Sequence, residues 1–228
     1  MSATTVAKSF AWSYSRLKNF ETCPERYNRY QVRKDVFEPE TEELRRGNEL
    51  HAHFDKRLRG VPLPLGFRQY EDLLARILAA AGQTVSEQKL AFTRDLRPCG
   101  YFDKACWYRG VVDACKVCTR SVSVFDWKTG KPNEDLTQMQ LMAATLFIHM
   151  PEIERVKTGL VFVNHNEIIP GEFVREDQQE IWDDILPRVA ALEAATTNNQ
   201  FPPKPGGLCK RYCNVRDCRY HGVGSNHG

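Results

Sequence analysis

Two aspartates thirteen positions apart, Asp113 and Asp126, and a lysine two residues beyond the second, Lys128, are the residues of this chain best suited to act together. They stand in Gly110-Val-Val-Asp113 and Asp126-Trp-Lys128-Thr-Gly130. Two carboxylates can hold Mg²⁺ or Mn²⁺, which orients a phosphate and lowers the pKa of a bound water, while an adjacent amine orients that water or stabilises developing charge. The chemistry of such a set is metal-assisted hydrolysis of a phosphodiester. The plainer alternative has Asp113 ending a strand and Asp126 forming a surface ion pair with Lys128. Against it, Asp126 and Lys128 sit among Val124, Phe125 and Trp127, where a charge without a partner or a metal is costly.

These side chains can meet only if adjacent strands carry them. Val111, Val112, Val117, Val122 and Val124 mark two β-strands joined through Cys118, Thr119, Arg120 and Ser121. A turn centred between Thr119 and Arg120 sets Asp113 opposite Asp126, and the period of two puts Lys128 on the face of Asp126, with Trp127 on the other. Periodicity and breakers predict helices over about 14–32 and 40–59, a proline-rich break over 62–66, and a helix over 71–81 closed by Gly82. Strands over 85–93, 105–117 and 122–128 read as a meander. A helix opened by Pro132-Asn133 runs to about 149, followed by a buried strand over 155–164 and a long helix over 176–195 with Ile181, Ile185, Val189 and Leu192 as its stripe. Pro202, Pro203, Pro205 and Gly206-Gly207 connect it to the last cysteines. The expected fold class is α/β, a mixed central sheet flanked by helices.

Further pieces resemble a known family, the RecB-type nucleases of the PD-(D/E)XK superfamily, and especially its iron-sulfur exonucleases of CRISPR adaptation and phage recombination. The resemblance spans nearly the whole chain. Ser15-Arg-Leu-Lys-Asn-Phe-Glu-Thr-Cys23-Pro24 is similar to the family's amino-terminal helix with its first cluster cysteine. Gly47-Asn-Glu-Leu-His51 resembles Gly-x-x-x-His, whose histidine is a metal ligand. Gly110-x-x-Asp113 and Asp126-Trp-Lys128 match the two metal-binding acids and the catalytic lysine, with the Trp127 carbonyl a further ligand by resemblance. Gln140 matches the family's Gln-x-x-x-Tyr, although Ala144 stands where the tyrosine belongs. Cys209, Cys213 and Cys218 resemble the carboxy-terminal cysteine group, at spacings different from those of some relatives. The resemblance implies a restriction-endonuclease-like core and a metal-dependent exonuclease on single-stranded DNA. The other class kept open is a non-catalytic nucleic-acid-binding or assembly protein that retains the fold and a structural metal.

Neighbouring residues act as controls. His53 lies roughly 200° around the helix from His51, so both cannot face one metal. Gln138 stands in the same relation to Gln140, and Gln140 is preferred because Leu141, Ala144, Thr145 and Ile148 lie near its side of the helix. Glu87 is placed to approach the site from a neighbouring strand. Trp12, Trp107, Trp127 and Trp182 read as core rather than base-stacking residues, with Trp12 open to either role.

The eight cysteines divide into two groups. Cys23, Cys209, Cys213 and Cys218 make the complement of a [4Fe-4S] cluster, while Cys209, Cys213, Cys218 and His221 make a rival Cys3His zinc site. Cys99, Cys106, Cys115 and Cys118 read as buried or turn thiols, since Cys115 falls inside a strand and Cys118 in its turn.

The 228 residues suit one nuclease domain, with a catalytic core over 40–195 and a metal-cluster region formed by 10–30 and 198–222 that joins the two termini, and they leave no room for a helicase motor. Recombination or helicase proteins are therefore expected as separate partners. With 32 basic and 29 acidic residues the net charge is +3, so affinity for nucleic acid has to come from local patches. Candidates are Arg45, Arg46, Lys56, Arg57 and Arg59 on one helix, and Lys204, Lys210 and Arg211 near the end. No apolar run is long enough to span a bilayer, and residues 1–10 show no signal-peptide core, so the expectation is a cytoplasmic protein, in the host cytoplasm if phage-encoded.

Overall fold

In a computed structural model of the chain, residues 10–223 are described, and the stretch before residue 10 that was read for a signal peptide lies outside them. In chain order the elements are α1 (Tyr14–Thr22), α2 (Pro24–Tyr27), α3 (Glu42–Leu58), α4 (Glu71–Ala79), β1 (Gln83–Phe92), β2 (Tyr108–Val117), β3 (Ser121–Lys128), α5 (Thr137–His149), β4 (Arg155–Phe162), β5 (Glu167–Val174), α6 (Gln178–Thr197) and α7 (Leu208–Arg211). The described residues group into two compact units, one of residues 10–11 and 41–183, the other of residues 12–40 and 184–223.

The first unit is a five-stranded mixed sheet in the order β1-β2-β3-β4-β5. Only β3 and β4 are parallel, and α5 makes the crossover between them that a parallel pair requires. On one face α5 packs Met139, Leu146 and Phe147 against Val122, Val124, Val156 and Leu160. On the other, Leu50, Phe54 and Leu58 of α3 and Leu74 of α4 pack against Trp127 and Val161. Thr41 caps α3 by accepting the Leu44 N–H, and Glu42 and Glu43 sit in its positively polarised first turn.

Several elements differ from the sequence expectation. The helix predicted over 14–32 breaks at Cys23, because the ring of Pro24 drives the preceding residue to an extended conformation with φ −163°. A short α2 and a π-helical turn over Asn28–Val32 follow. The strand predicted from 105 begins at Tyr108. The helix predicted from Pro132 begins at Thr137, whose N–H is accepted by Asp135 Oδ1, while Asn133 Oδ1 accepts the Asp135 N–H. Strand β5 was not expected. It carries Pro170 and Gly171, which weaken the strand pattern but are tolerated at a sheet edge.

Two features of the sheet shape the site. First, β2 and β3 fork. Their ladder follows the expected register and ends at Ala114↔Phe125; beyond it β2 continues with β1 to Tyr108↔Phe92, and β3 continues with β4 to Lys128↔Phe162. Second, alternation slips beside the fork. Val112 and Cys115 both pack on the α5 face, so the two residues between them turn to the α3 face. Ala114 joins the α3 core and Asp113 lines a cleft with α3. On β1, Ser86 and Glu87 double up in the same way: Ser86 bonds Asp55 of α3, and Glu87 lines that cleft. Glu87 has φ +49°, a left-handed conformation uncommon for a residue with a side chain.

The second unit contains α1, α2, α7 and most of α6. Within it Arg188 of α6 pairs with Glu21 of α1, and Arg29 pairs with Asp217.

The two glycines of the recognised motifs have different tasks. A Cβ on Gly110 would lie 2.7 Å from the Tyr108 hydroxyl and 3.2 Å from its ring, and Tyr108 is 2 % exposed and stacked on Phe92. A Cβ on Gly47 would make only an ordinary contact, 3.5 Å from Thr129 Oγ1. Gly110→Ala should therefore cost about 1–3 kcal/mol through overpacking. Gly47→Ala, which relieves a helix interior of glycine, should raise stability by up to about 1 kcal/mol. Urea titration of both variants checks the contrast, and equal effects would contradict it.

Candidate metal centre

At the fork, Asp113 Oδ2 accepts the backbone N–H of Trp127 at 2.9 Å. Its other oxygen lies 3.4 Å from His51 Nδ1, delivered by α3. Glu87 completes a group in which one ligand atom each from His51, Glu87 and Asp113 lies within 4.8 Å of the others, the only such trio among the described His, Cys, Asp and Glu residues. They open into a cleft of about 630 Å³ that Gly47, Asn48, Asp55, Val111 and Thr129 also line.

Asp126 enters from β3 with its side chain only 8 % exposed. Its Oδ1 accepts Gln138 Nε2 at 2.5 Å. Its Oδ2 is ion-paired with Lys128 Nζ at 2.5 Å. The lysine in turn donates to Gln138 Oε1 at 2.8 Å. A cation suits the trio of His51, Glu87 and Asp113: an imidazole and two carboxylates within 4.8 Å of one another are the hard oxygen and nitrogen ligands of a divalent metal.

Without a cation the acids disturb one another. Burial, reinforced by Asp113 and opposed by Lys128, raises the Asp126 pKa to about 6. Burial, with Asp113 and Asp55 nearby, also raises Glu87. For His51, burial pulls the pKa down, but the hydrogen bond and charge of Asp113, with Asp126 and Glu87 behind it, outweigh burial and raise it.

Asp113, Asp126, Lys128 and His51 thus come together. His53 lies elsewhere, its ring 4.5 Å from that of Phe67. The Trp127 ring is buried against Phe54, leaving only its backbone at the fork. The glutamine in contact with Asp126 and Lys128 is Gln138, the second residue of α5, rather than Gln140. Asp135 ahead of Thr137 was the available signal for the start of α5 there. Of the five basic residues expected along this helix, three are ion-paired, Arg45 with Glu49, Arg57 with Glu71 and Arg59, at the C-cap of α3, with Asp55.

The sequence profile described as PD-(D/E)XK nuclease superfamily matches residues 11–107 and 108–218. The chain belongs to that superfamily. Among solved structures, a protein from Eubacterium rectale described as a candidate exonuclease is 14 % identical, with 92 % of this chain and 91 % of that one covered and a TM-score of 0.50. The protein SSO0001 is 15 % identical over 96 % of this chain and 90 % of its own, with a TM-score of 0.49. Among curated proteins none matches. PD-(D/E)XK nucleases use divalent metals, and a His/Glu/Asp cluster is present at the fork. No described helix is long and apolar enough to cross a membrane.

A second cluster lies in the other unit. Cys23, Cys209, Cys213 and Cys218 line one small cavity together with His221, Arg26, Lys204 and Tyr220. Cys23 Sγ accepts the Lys204 N–H at 3.4 Å, and the Gly222 N–H bonds the Cys209 carbonyl. Of the remaining cysteines, Cys115 is buried in β2, Cys118 lies in the turn after it, and Cys99 and Cys106 are hydrogen-bonded neighbours in the connection before β2, Cys106 being buried with its Sγ against the Tyr108 carbonyl.

A pH dependence follows for the metal-free protein. Asp126 holds its proton more tightly folded than unfolded, so its ionisation removes stability as pH rises from 3.8 to about 6. Glu87 acts in the same sense, and the raised His51 contributes stability below its ordinary value that is lost as pH climbs past it. The Asp126 contribution is on the order of 3 kcal/mol, several degrees of Tm. In EDTA the Tm should fall from pH 4 to pH 7, and Mn²⁺ should raise it more at pH 7 than at pH 5. In Asp126→Asn the dependence should flatten. An Mn²⁺ effect that grows toward pH 5 would contradict the assignment.

Proposed function

We propose that this protein is a RecB-type DNA exonuclease that degrades single-stranded DNA with Mg²⁺ or Mn²⁺. The observation that carries the reading is the convergence of His51, Glu87 and Asp113 within 4.8 Å of one another, with the buried Asp126 paired to Lys128 on the neighbouring strand. His51, Asp113, Asp126 and the Trp127 carbonyl would hold the cation, with Glu87 as a further ligand. A bound divalent ion supplies charge stabilisation to phosphate oxygens and acidifies water. Lys128 orients the attacking water and offsets charge that develops on the phosphate. Gln138 positions both by bridging Lys128 and Asp126, which holds the amine beside the acid.

Asp113→Ala, Asp126→Ala and Lys128→Ala should each lower Mn²⁺-dependent release of nucleotides from labelled single-stranded DNA by at least about 100-fold, as expected when a group acting in the transition state is removed. His51→Ala should be severe and His53→Ala mild. Gln138→Ala should lose more activity than Gln140→Ala. Ca²⁺ should bind without supporting much cleavage. Near-wild-type turnover in Asp126→Ala, with metal still required, would defeat the assignment of Asp126, and no metal-dependent cleavage by the wild-type protein would leave only the non-catalytic binding reading.

For the cysteines we favour a [4Fe-4S] cluster on Cys23, Cys209, Cys213 and Cys218. All four face one cavity. No three ligand atoms among these cysteines and His221 lie within 4.8 Å of one another. A single tetrahedral Zn²⁺ would draw its sulfurs to about 3.8 Å apart, given Zn–S bonds of about 2.3 Å. Shared ligation would tie residue 23 to the last cysteines, closing a loop of nearly the whole chain, so the cluster acts as a staple. Protein purified anaerobically should be brown with absorbance near ~400 nm. Cys23→Ser should bleach it and lower stability, and Cys115→Ser should do neither. Colourless protein with one zinc that survives Cys23→Ser would move the metal to Cys209, Cys213, Cys218 and His221.

A further inference from the structure

The cations expected to grip a phosphate backbone along α3 are largely engaged: Arg45, Arg57 and Arg59 each face a carboxylate. Two other cations are differently placed. Lys89 of β1 and Arg109 of β2 have no carboxylate partner among the described residues. They face aromatic rings instead. Lys89 Nζ lies 5.5 Å from the centre of the Tyr101 ring and 5.7 Å from that of Phe102. Arg109 Cζ lies 5.6 Å and 5.8 Å from the same two centres. The rings meet edge to face at 5.2 Å, and Phe102 is 78 % exposed.

The position of this group matters as much as its composition. Beyond the slip at Glu87 and Asp113, alternation resumes, so Lys89, Val111 and Arg109 share the face on which Asp113 and Glu87 open into the cleft. Val111 lines that cleft. At about 3.3 Å per residue, Lys89 stands roughly 7 Å from Glu87 along β1, and Arg109 roughly 13 Å from Asp113 along β2. A strand of nucleic acid leaving the metal centre along the hairpin would meet these side chains within its first few nucleotides.

We propose that Tyr101, Phe102, Lys89 and Arg109 form a stacking platform for the unpaired strand of a nucleic-acid substrate held at the metal centre. The proposal rests on the nuclease reading above and adds where the strand runs. Phe102 offers an open π face to a base, and the two cations, free of carboxylates, are complementary to phosphate. The bases of a single strand can stack on such a ring while those inside a duplex cannot, which favours a single strand running past the platform over a blunt duplex.

The test is binding of an oligothymidylate of about 20 nucleotides, followed by fluorescence anisotropy in Ca²⁺ with the full chain. Phe102→Ala changes an exposed side chain and should leave the fold intact, which circular dichroism checks. It should weaken binding by about 5-fold or more, the loss of one base–aromatic stack, while Phe102→Trp keeps the affinity. On an abasic strand of equal length Phe102→Ala should have no effect. Replacing Lys89 and Arg109 together by alanine should make the log–log salt dependence shallower by about 1.4, two phosphate contacts on a single strand. Unchanged oligothymidylate affinity in Phe102→Ala, or an equal loss on the abasic strand or on blunt duplex, overturns the platform. Mn²⁺-dependent cleavage of the same oligonucleotide by the wild-type protein is read separately. Its absence alongside a weakened Phe102→Ala removes the nuclease reading and leaves the platform, and its presence with an unaffected variant does the reverse.

Discussion

Where β2 and β3 part, the backbone N–H of Trp127 loses the strand that would have accepted it, and a carboxylate oxygen of Asp113 accepts it instead. A buried donor left without a partner costs free energy comparable to a lost hydrogen bond, so the fork is tenable only with such a substitute. Asp113 thereby closes the ladder with one oxygen and offers the other toward His51. Everything else at the site is arranged around that division of labour. β2 must leave β3 for Asp113 to reach across, β1 must follow β2 to bring Glu87, and β3 must follow β4 so that Asp126 and Lys128 remain on a rigid strand.

The cost of the arrangement is electrostatic. Three carboxylates and an imidazole crowd one end of the sheet, and Lys128 is the cation set directly against Asp126. The raised pKa values of Asp126, Glu87 and His51 express one fact, that the site favours added positive charge, whether protons or a metal. Gln138 cannot supply charge, but it satisfies one oxygen of Asp126 and fixes the lysine beside the other.

The register of β2 on β3 was legible in the sequence because a short turn sets it, and a short turn allows few alternatives. Glu87 was legible only as a neighbour, since β1 and β2 are separated by residues 93–107 and a long connection does not specify register. The apolar residues near its side of the helix favour Gln140, whereas the contacts to Asp126 and Lys128 come from Gln138, in the first turn of a helix that two successive side-chain bonds, to Asn133 and Asp135, delay to Thr137. The break at Cys23 could have been read from Pro24 alone. Of the basic stripe on α3, the Arg45–Glu49 and Asp55–Arg59 pairs could be seen from their spacing of four, but Arg57 meets Glu71 across a connection whose geometry no local pattern specifies. The Tyr101 and Phe102 cluster carries no periodic signal, lying in a loop.

The doubling of Asp113 with Ala114, and of Glu87 with Ser86, changes the parity of both strands without changing their pairing. On β2 the even-numbered residues from Ala114 onward look toward α3, while before Asp113 the odd-numbered ones do. One strand can therefore bury valine and cysteine on the α5 side along its whole length and still surrender two consecutive positions to the other side. In a plain strand a catalytic acid displaces a core residue from its own row; here the row shifts and nothing is displaced. A break in the phase of alternation, found at opposite positions on two paired strands, is thus a trace that such a site leaves in sequence, independent of the identity of its acids.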